Sequence, residues 1–118
     1  MSATGGMTAD DRASAVFRAL AEPHRREILR LVAGSELPAG EIARAFDVSR
    51  PAISQHLAVL KDAGLASERR VGTKRYYRAE PRRLPEMRAY LDDLWGGALG
   101  RAKHLAERPS RPAAKEAG

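Results

Sequence analysis

Apolar residues recur along most of this chain with the three- and four-residue spacing of a helix, and switch to strict alternation over one short stretch. Thr8 followed by Asp11 reads as a capping box that opens a first helix running to about Leu20. Pro23, preceded by Glu22, suits the first position of a second helix. Its apolar residues are Ile28, Leu29, Leu31 and Val32, its polar ones His24, Arg25, Arg26, Glu27 and Arg30, and Gly34 ends it. Ser35–Pro38 reads as a short extended connection, and Ala39–Phe46 as a third helix turning Ile42, Ala43 and Phe46 inward. After the turn Asp47-Val48-Ser49, Ser49 is a good N-cap for a fourth helix with Pro51 in its first turn. At about 100° per residue, Ile53, Leu57 and Leu60 form one stripe, while Pro51, Ser54, Gln55 and Ala58 point the other way.

Gly64 stops that helix, and the period changes. Leu65–Arg70 and Lys74–Ala79 alternate around Val71-Gly72-Thr73, the pattern of a hairpin with Arg69, Arg70, Lys74 and Arg75 at its tip. A last helix is expected from about Leu84 to Glu107. Its stripe of Leu84, Met87, Leu91, Leu94, Trp95, Ala98, Leu99, Ala102 and Leu105 is longer than a small monomer needs to bury, which suggests a dimer seam. Gly96, Gly97 and Gly100 interrupt it at about 1 kcal/mol each in helix propensity. They either admit a close helix–helix approach or let the helix fray. The expected organisation is a disordered N-terminus over 1–7, one domain over 8–107 and a disordered tail over 108–118. The expected fold is mainly α with a small β-hairpin: a winged helix-turn-helix of about five helices plus a two-stranded wing.

Composition sharpens this picture. The chain has 118 residues and 43% hydrophobic content but only 5% aromatic, so its core must be aliphatic and thin. There is no cysteine, hence no disulfide and no thiolate metal site. No run of about 18 apolar residues suggests a membrane span, and a cytoplasmic protein is expected. Residues 49–83 hold nine basic and three acidic residues, which accounts for the whole net charge of +6. Such a local excess over a helix and hairpin is what neutralising DNA phosphates requires.

The candidate DNA contacts follow from placement. Gln55 is the leading base reader, because its amide can offer a donor and an acceptor together to adenine, with Ser54 beside it. Ser49, Arg50 and Pro51 open the helix; Arg50 either reads guanine or touches a phosphate, phosphate being favoured. Lys61, Arg69, Arg70, Thr73, Lys74 and Arg75 would grip the backbone, with Tyr77 among the wing contacts and both tyrosines bracing the hairpin. His56 flanks the apolar stripe, which suits a structural or phosphate-facing role over a base contact; no partners for metal binding are evident near it. Leu84, Met87, Leu91, Leu94, Trp95, Ala98, Leu99 and Ala102 are assigned to the dimer seam. An enzyme is not expected: the histidines at 24, 56 and 104 lie far apart, and no phosphate loop or acid pair stands out. The alternative function is a protein- or RNA-binding winged helix. Against it, the outer face of the fourth helix exposes small polar residues rather than Leu, Met or aromatics.

Three segments, ALAEPHRREILRLV (19–32), EIARAFDVSRPAISQHLAVLKDAGL (41–65) and RRVGTKRYYR (69–78), resemble in order and spacing the ArsR/SmtB family of bacterial winged-helix repressors. The resemblance implies a homodimer that binds an inverted repeat on double-stranded DNA through the 50–62 helix and the 66–78 wing and represses transcription, often of its own operon. The family's metal ligands do not carry over. Pro38, Ala39 and Gly40 stand where one site has its Cys-x-Cys pair; Pro81, Arg83, Leu94 and Gly97 stand at the places of the other. Asp93, His104 and Glu107 reproduce part of that spacing about ten residues too late. The chain thus resembles the branch without metal-sensing cysteines, with no cofactor expected and an unidentified small-molecule inducer left open.

Overall fold

The computed structural model describes residues 6–106, with side chains through residue 96. The order of elements is α1 (Ala9–Leu20), α2 (Pro23–Gly34), β1 (Leu37–Pro38), α3 (Ala39–Arg44), α4 (Arg50–Asp62), β2 (Ala66–Val71), β3 (Lys74–Ala79), a single 3-10 turn (Pro81–Arg83) and α5 (Leu84–Ala106). This is the winged helix-turn-helix arrangement, with α3 and α4 as the helical pair and β2–β3 as the wing. Of the ends expected to be disordered, 1–7 and 108–118, residues 1–5 and 108–118 lie outside the described residues, as do Glu107 and the side chains of Ala98, Leu99 and Ala102.

Local chemistry sets each boundary. Thr8 accepts from the Asp11 amide at 3.0 Å and the Asp11 carboxylate accepts from the Thr8 amide, so two of the first-turn donors of α1 are satisfied. Glu22 caps α2 by accepting from the amides of His24 and Arg25. Ser49 does the same for α4 through the Ala52 amide. At its other end α4 closes in a Schellman motif: the Leu65 amide donates to the Leu60 carbonyl, the Gly64 amide to that of Lys61, and Gly64 takes φ +79°. The hairpin turn is two residues long. Gly72 at φ +61° is followed by Thr73 at negative φ, and Val71 faces Lys74, so β2 reaches one residue further toward the turn than the alternation suggested, while β3 begins where expected.

Two expectations are corrected. The connection before α3 contributes a strand, with Leu37 paired to Tyr77 and Pro38 to Tyr76, so the sheet has three antiparallel strands in the order β1-β3-β2. Two residues ending in proline carry no alternation, and their pairing is long-range, so no local pattern announces them. The third helix ends at Arg44 rather than Phe46, because the Ala45 and Phe46 amides turn back onto the carbonyls of Ile42 and Ala43.

The core lies where α1–α4 meet the base of the sheet, and its largest fully enclosed side chains are Val16, Ile28, Val32, Ile42, Ile53, Leu57 and Leu60. It is aliphatic, as the composition required. The last helix packs back on α1 through buried Met87, the Arg12–Glu86 ion pair at 2.6 Å and the tilted rings of Phe17 and Tyr90, 5.8 Å apart. It continues as helix through Gly96, Gly97 and Gly100. Among the described residues no helix is long and apolar enough to cross a membrane.

Candidate nucleic-acid interface

One face of α4 is committed to packing: Ile53, Leu57 and Leu60 are at most 1% exposed. Arg50, Pro51, Ser54, Gln55, Ala58 and Lys61 are therefore left outward and exposed. The sequence carries this division in its spacing, and the structure adds what faces it. An open groove of about 530 Å³ lies between α3, α4 and the wing, and brings Arg50, Ser54 and Lys61 together with Thr73, Lys74 and Arg75. Gln55 lies on the exposed side of α4 but does not line this groove. Ser49 and Pro51 sit at the helix start, exposed, with the Ser49 hydroxyl engaged by the Ala52 amide.

The basic residues of the wing are not equivalent. Glu68 takes Lys61 at 2.7 Å and Arg75 at 3.3 Å, and this company, Lys61 foremost, holds its carboxyl below the usual range. Arg69 closes both arms of its guanidinium on Glu36, at 2.7 and 3.0 Å, and lies 5.3 Å over the Tyr76 ring. That contact ties the wing to the segment before β1 and lowers the pKa of Glu36. Arg82 pairs with Glu80 and Arg83 with Glu86. Of the basic residues in 49–83, Arg50, Arg70, Lys74 and Arg78 have no ion-pair partner among the described residues; Arg78, nearer the base of the wing, donates to the Ser67 hydroxyl. Charge counting could not separate the two groups, because Glu36 lies 33 residues from the arginine it neutralises.

Two expected contact residues sit elsewhere. Tyr77 is 6% exposed, because its place in β3 between β1 and β2 turns the ring into the core; it supports the groove from below and is corrected from the list of wing contacts. His56, expected beside the apolar stripe in a structural or phosphate-facing role, lies in the contact between α4 and the start of α2. There Arg25 Nη1 lies 3.3 Å from its Nδ1, Glu22 Oε1 is 3.8 Å from its Nε2, and the His24 ring stacks at 5.6 Å. Burial, partly offset by Glu22, lowers the pKa of His56. The expectation that no metal-binding partners lie near His56 is also corrected, since Glu22 and His24 adjoin it. The histidines are 32 positions apart, and only the packing of α2 on α4 unites them. Of the expected seam, Met87 is buried within the protomer, while Leu84, Leu91, Leu94 and Trp95 are 48, 41, 62 and 55% exposed.

Comparison with known proteins agrees with this geometry. Residues 22–68, from the α2 cap into the first wing strand, match the model of the arsR family of bacterial regulatory proteins. An HTH-type transcriptional regulator of Mycobacterium tuberculosis is 47% identical over 83 residues, covering 70% of this chain and 78% of that one. An arsenic resistance transcriptional regulator of Pseudomonas putida is 33% identical over 111 residues, 84% of each chain. The transcriptional repressor SdpR of Bacillus subtilis is 47% identical over 62 residues, 52% of this chain and 69% of its own. A solved ArsR-like transcriptional regulator from Rhodococcus sp. RHA1 superposes with a TM-score of 0.67 at 32% identity, over 81% of this chain and 93% of that one. These are regulators, not enzymes. With the helix pair, the wing and the matched segment in place, the chain belongs to the ArsR family of bacterial transcriptional regulators.

Proposed function

We propose that the protein is a homodimeric repressor that binds an inverted-repeat operator on double-stranded DNA, autoregulation of its own operon included. The observation that carries this reading is the groove shared by α4 and the wing tip, in which exposed helix residues and unpaired cations converge on one side of the molecule. In this reading α4 enters the major groove, Ser54 and Gln55 meet base edges, and Ser49, Arg50 and Pro51 lie at the helix end nearest the backbone. Arg70, Thr73 and Lys74 follow the phosphates along the wing, with Lys61, Arg69 and Arg75 beside them but held by Glu68 and Glu36 and adding little charge. The small, polar character of the α4 face supports nucleic acid over a protein partner.

Dimerisation is supported by α5. Leu84, Leu91, Leu94 and Trp95 expose a nearly continuous apolar strip, extended by Phe17 at 40% exposure, that a second protomer would cover. Two recognition helices would then meet half-sites about 34 Å apart, one turn of duplex. The test is fluorescence anisotropy with the duplex upstream of the protein's own gene and a scrambled duplex, each at two salt concentrations. Saturable binding that prefers the upstream duplex is expected. Equal, weak binding to both, lost with salt, would count against a specific autoregulator.

A further inference from the structure

Where the first turn of α2 abuts the middle of α4, two histidines and a glutamate converge, and one potential ligand atom from each lies within 4.8 Å of the others. We propose that Glu22, His24 and His56 form a binding site for a divalent transition-metal ion of the zinc type, placed so that occupancy acts on α4. This goes beyond DNA binding, and it is tested without DNA, so the two readings fail separately.

The geometry is close to what such an ion needs. Ligand bonds of about 2.0–2.2 Å in a tetrahedral arrangement separate neighbouring donors by about 3.2–3.6 Å. Glu22 Oε2 stands 3.1 Å from His24 Nδ1, and Glu22 Oε1 stands 3.8 Å from His56 Nε2. The carboxylate thus turns one oxygen to each ring, and with one donor per residue within 4.8 Å of the others the set closes on an ion by side-chain shifts of up to roughly an ångström. Glu22 is already oriented, because it caps α2 through two backbone amides. The imidazole rings lie 14° from parallel, and Phe46 packs edge-on against His24 at 6.0 Å, which limits ring rotation. Two imidazoles and one carboxylate suit zinc, nickel or cobalt over calcium or magnesium. All three residues are only partly buried, so water can reach the fourth position.

Arg25 opposes the ion and gives it something to switch. Its Nη1 faces His56 Nδ1, while Nε and Nη2 hold the Ala19 and Arg18 carbonyls at the end of α1, at 2.7 and 3.2 Å. A metal on His56 Nε2 leaves the ring proton on Nδ1, so two donors would then confront each other. The Arg25 guanidinium, a rigid plane, must then tilt as a whole away from His56, straining its bonds to the Ala19 and Arg18 carbonyls. Metal thus exchanges an arginine tie between α1 and α4 for a direct clip between α2 and α4.

The experiment is a titration of the full chain with Co²⁺, read by its visible absorption, and with Zn²⁺ by calorimetry, for the unaltered protein and for His24→Gln, His56→Gln and His104→Gln. One ion per chain is expected, weakened about tenfold or more by either of the first two changes and unaffected by the third. His24 is half-exposed, so His24→Gln decides the matter even if His56→Gln disturbs packing, with a thermal melt to confirm folding. No saturable binding, binding unchanged in His24→Gln, or binding abolished in His104→Gln would each overturn the proposal.

Discussion

The division of basic residues into paired and unpaired sets makes the salt dependence of DNA binding a sharp test. Each phosphate neutralised by an unpaired cation adds about 0.9 to the slope of log K against log salt. With Arg50, Arg70 and Lys74 as the unpaired cations at the groove and wing tip, a homodimer should show a slope of about −5, whereas engagement of all nine basic residues of 49–83 would give about −16. Replacing Arg70 and Lys74 by alanine removes four charges from the dimer and should flatten the slope by about 3.6, roughly 150-fold in affinity over a fourfold rise in salt. Arg69→Ala should change it by less than about one unit, because Glu36 already holds that guanidinium and would be left behind as an uncompensated charge. Glu36→Gln should do the reverse, releasing Arg69 and steepening the dependence. The assay is anisotropy with a fixed duplex over a salt series. An unchanged slope in the Arg70/Lys74 double variant, or a loss from Arg69→Ala equal to that of a fully engaged cation, would refute the division.

Other expectations can be checked alongside it. Gln55→Ala should cost about 1–3 kcal/mol on the cognate duplex and almost nothing on random sequence, and equal losses on both would remove Gln55 from base reading. Gly64→Ala should destabilise the fold by about 1–2 kcal/mol in urea melts, since the position needs φ +79° and the new Cβ would stand 2.5 Å from Arg83 Nε. Gly72→Ala, at φ +61° with nothing within 4 Å, should cost less, and a reversed order would show that the Schellman turn is not the tighter constraint. Glu36, Glu68 and Glu86 have folded-state pKa values below the ordinary 4.5, held there chiefly by Arg69, Lys61 and Arg12. Their ion pairs are thus at full strength above 4.5 and are lost as pH falls through the lowered values. Melting temperature should hold above that point and drop below it, less so in a triple Glu→Gln variant; a drop of the same size in that variant would exclude these pairs. Leu94→Glu, at a site 62% exposed in the protomer, should yield monomers by sedimentation without lowering helix content, and a persistent dimer would place the seam elsewhere.

Much of the fold was legible because its signals are local. Thr8–Asp11, Glu22–Pro23, Ser49 and Gly64 mark helix ends by chemistry within four residues, and Ile53, Leu57 and Leu60 declare the buried face of α4 by spacing alone. What escaped depends on distant partners. Strand β1 exists only because Tyr76 and Tyr77 pair with it, and Tyr77 reads as an exposed wing residue until β1 is seen beside it. Glu36 and Glu68 look like incidental acids in the sequence, yet they bind three of the expected phosphate-gripping cations. His56 looks isolated until α2 is laid across α4.

That last contact has mechanical weight because α4 has little slack. Its stripe of Ile53, Leu57 and Leu60 is locked into the core, its start is fixed by Ser49, and its end by the Schellman turn. A helix so held does not bend to absorb a push at one residue; close packing transmits the displacement along the rod. His56 is the point where α2 meets this rod, and it directly follows Gln55 on the exposed side. If the proposed clip forms, tightening the Glu22–His24–Arg25 side of the contact is expected to move Ser54 and Gln55 with α4 as one body. The same core that presents the exposed face of α4 also couples that face to whatever acts on the first turn of α2.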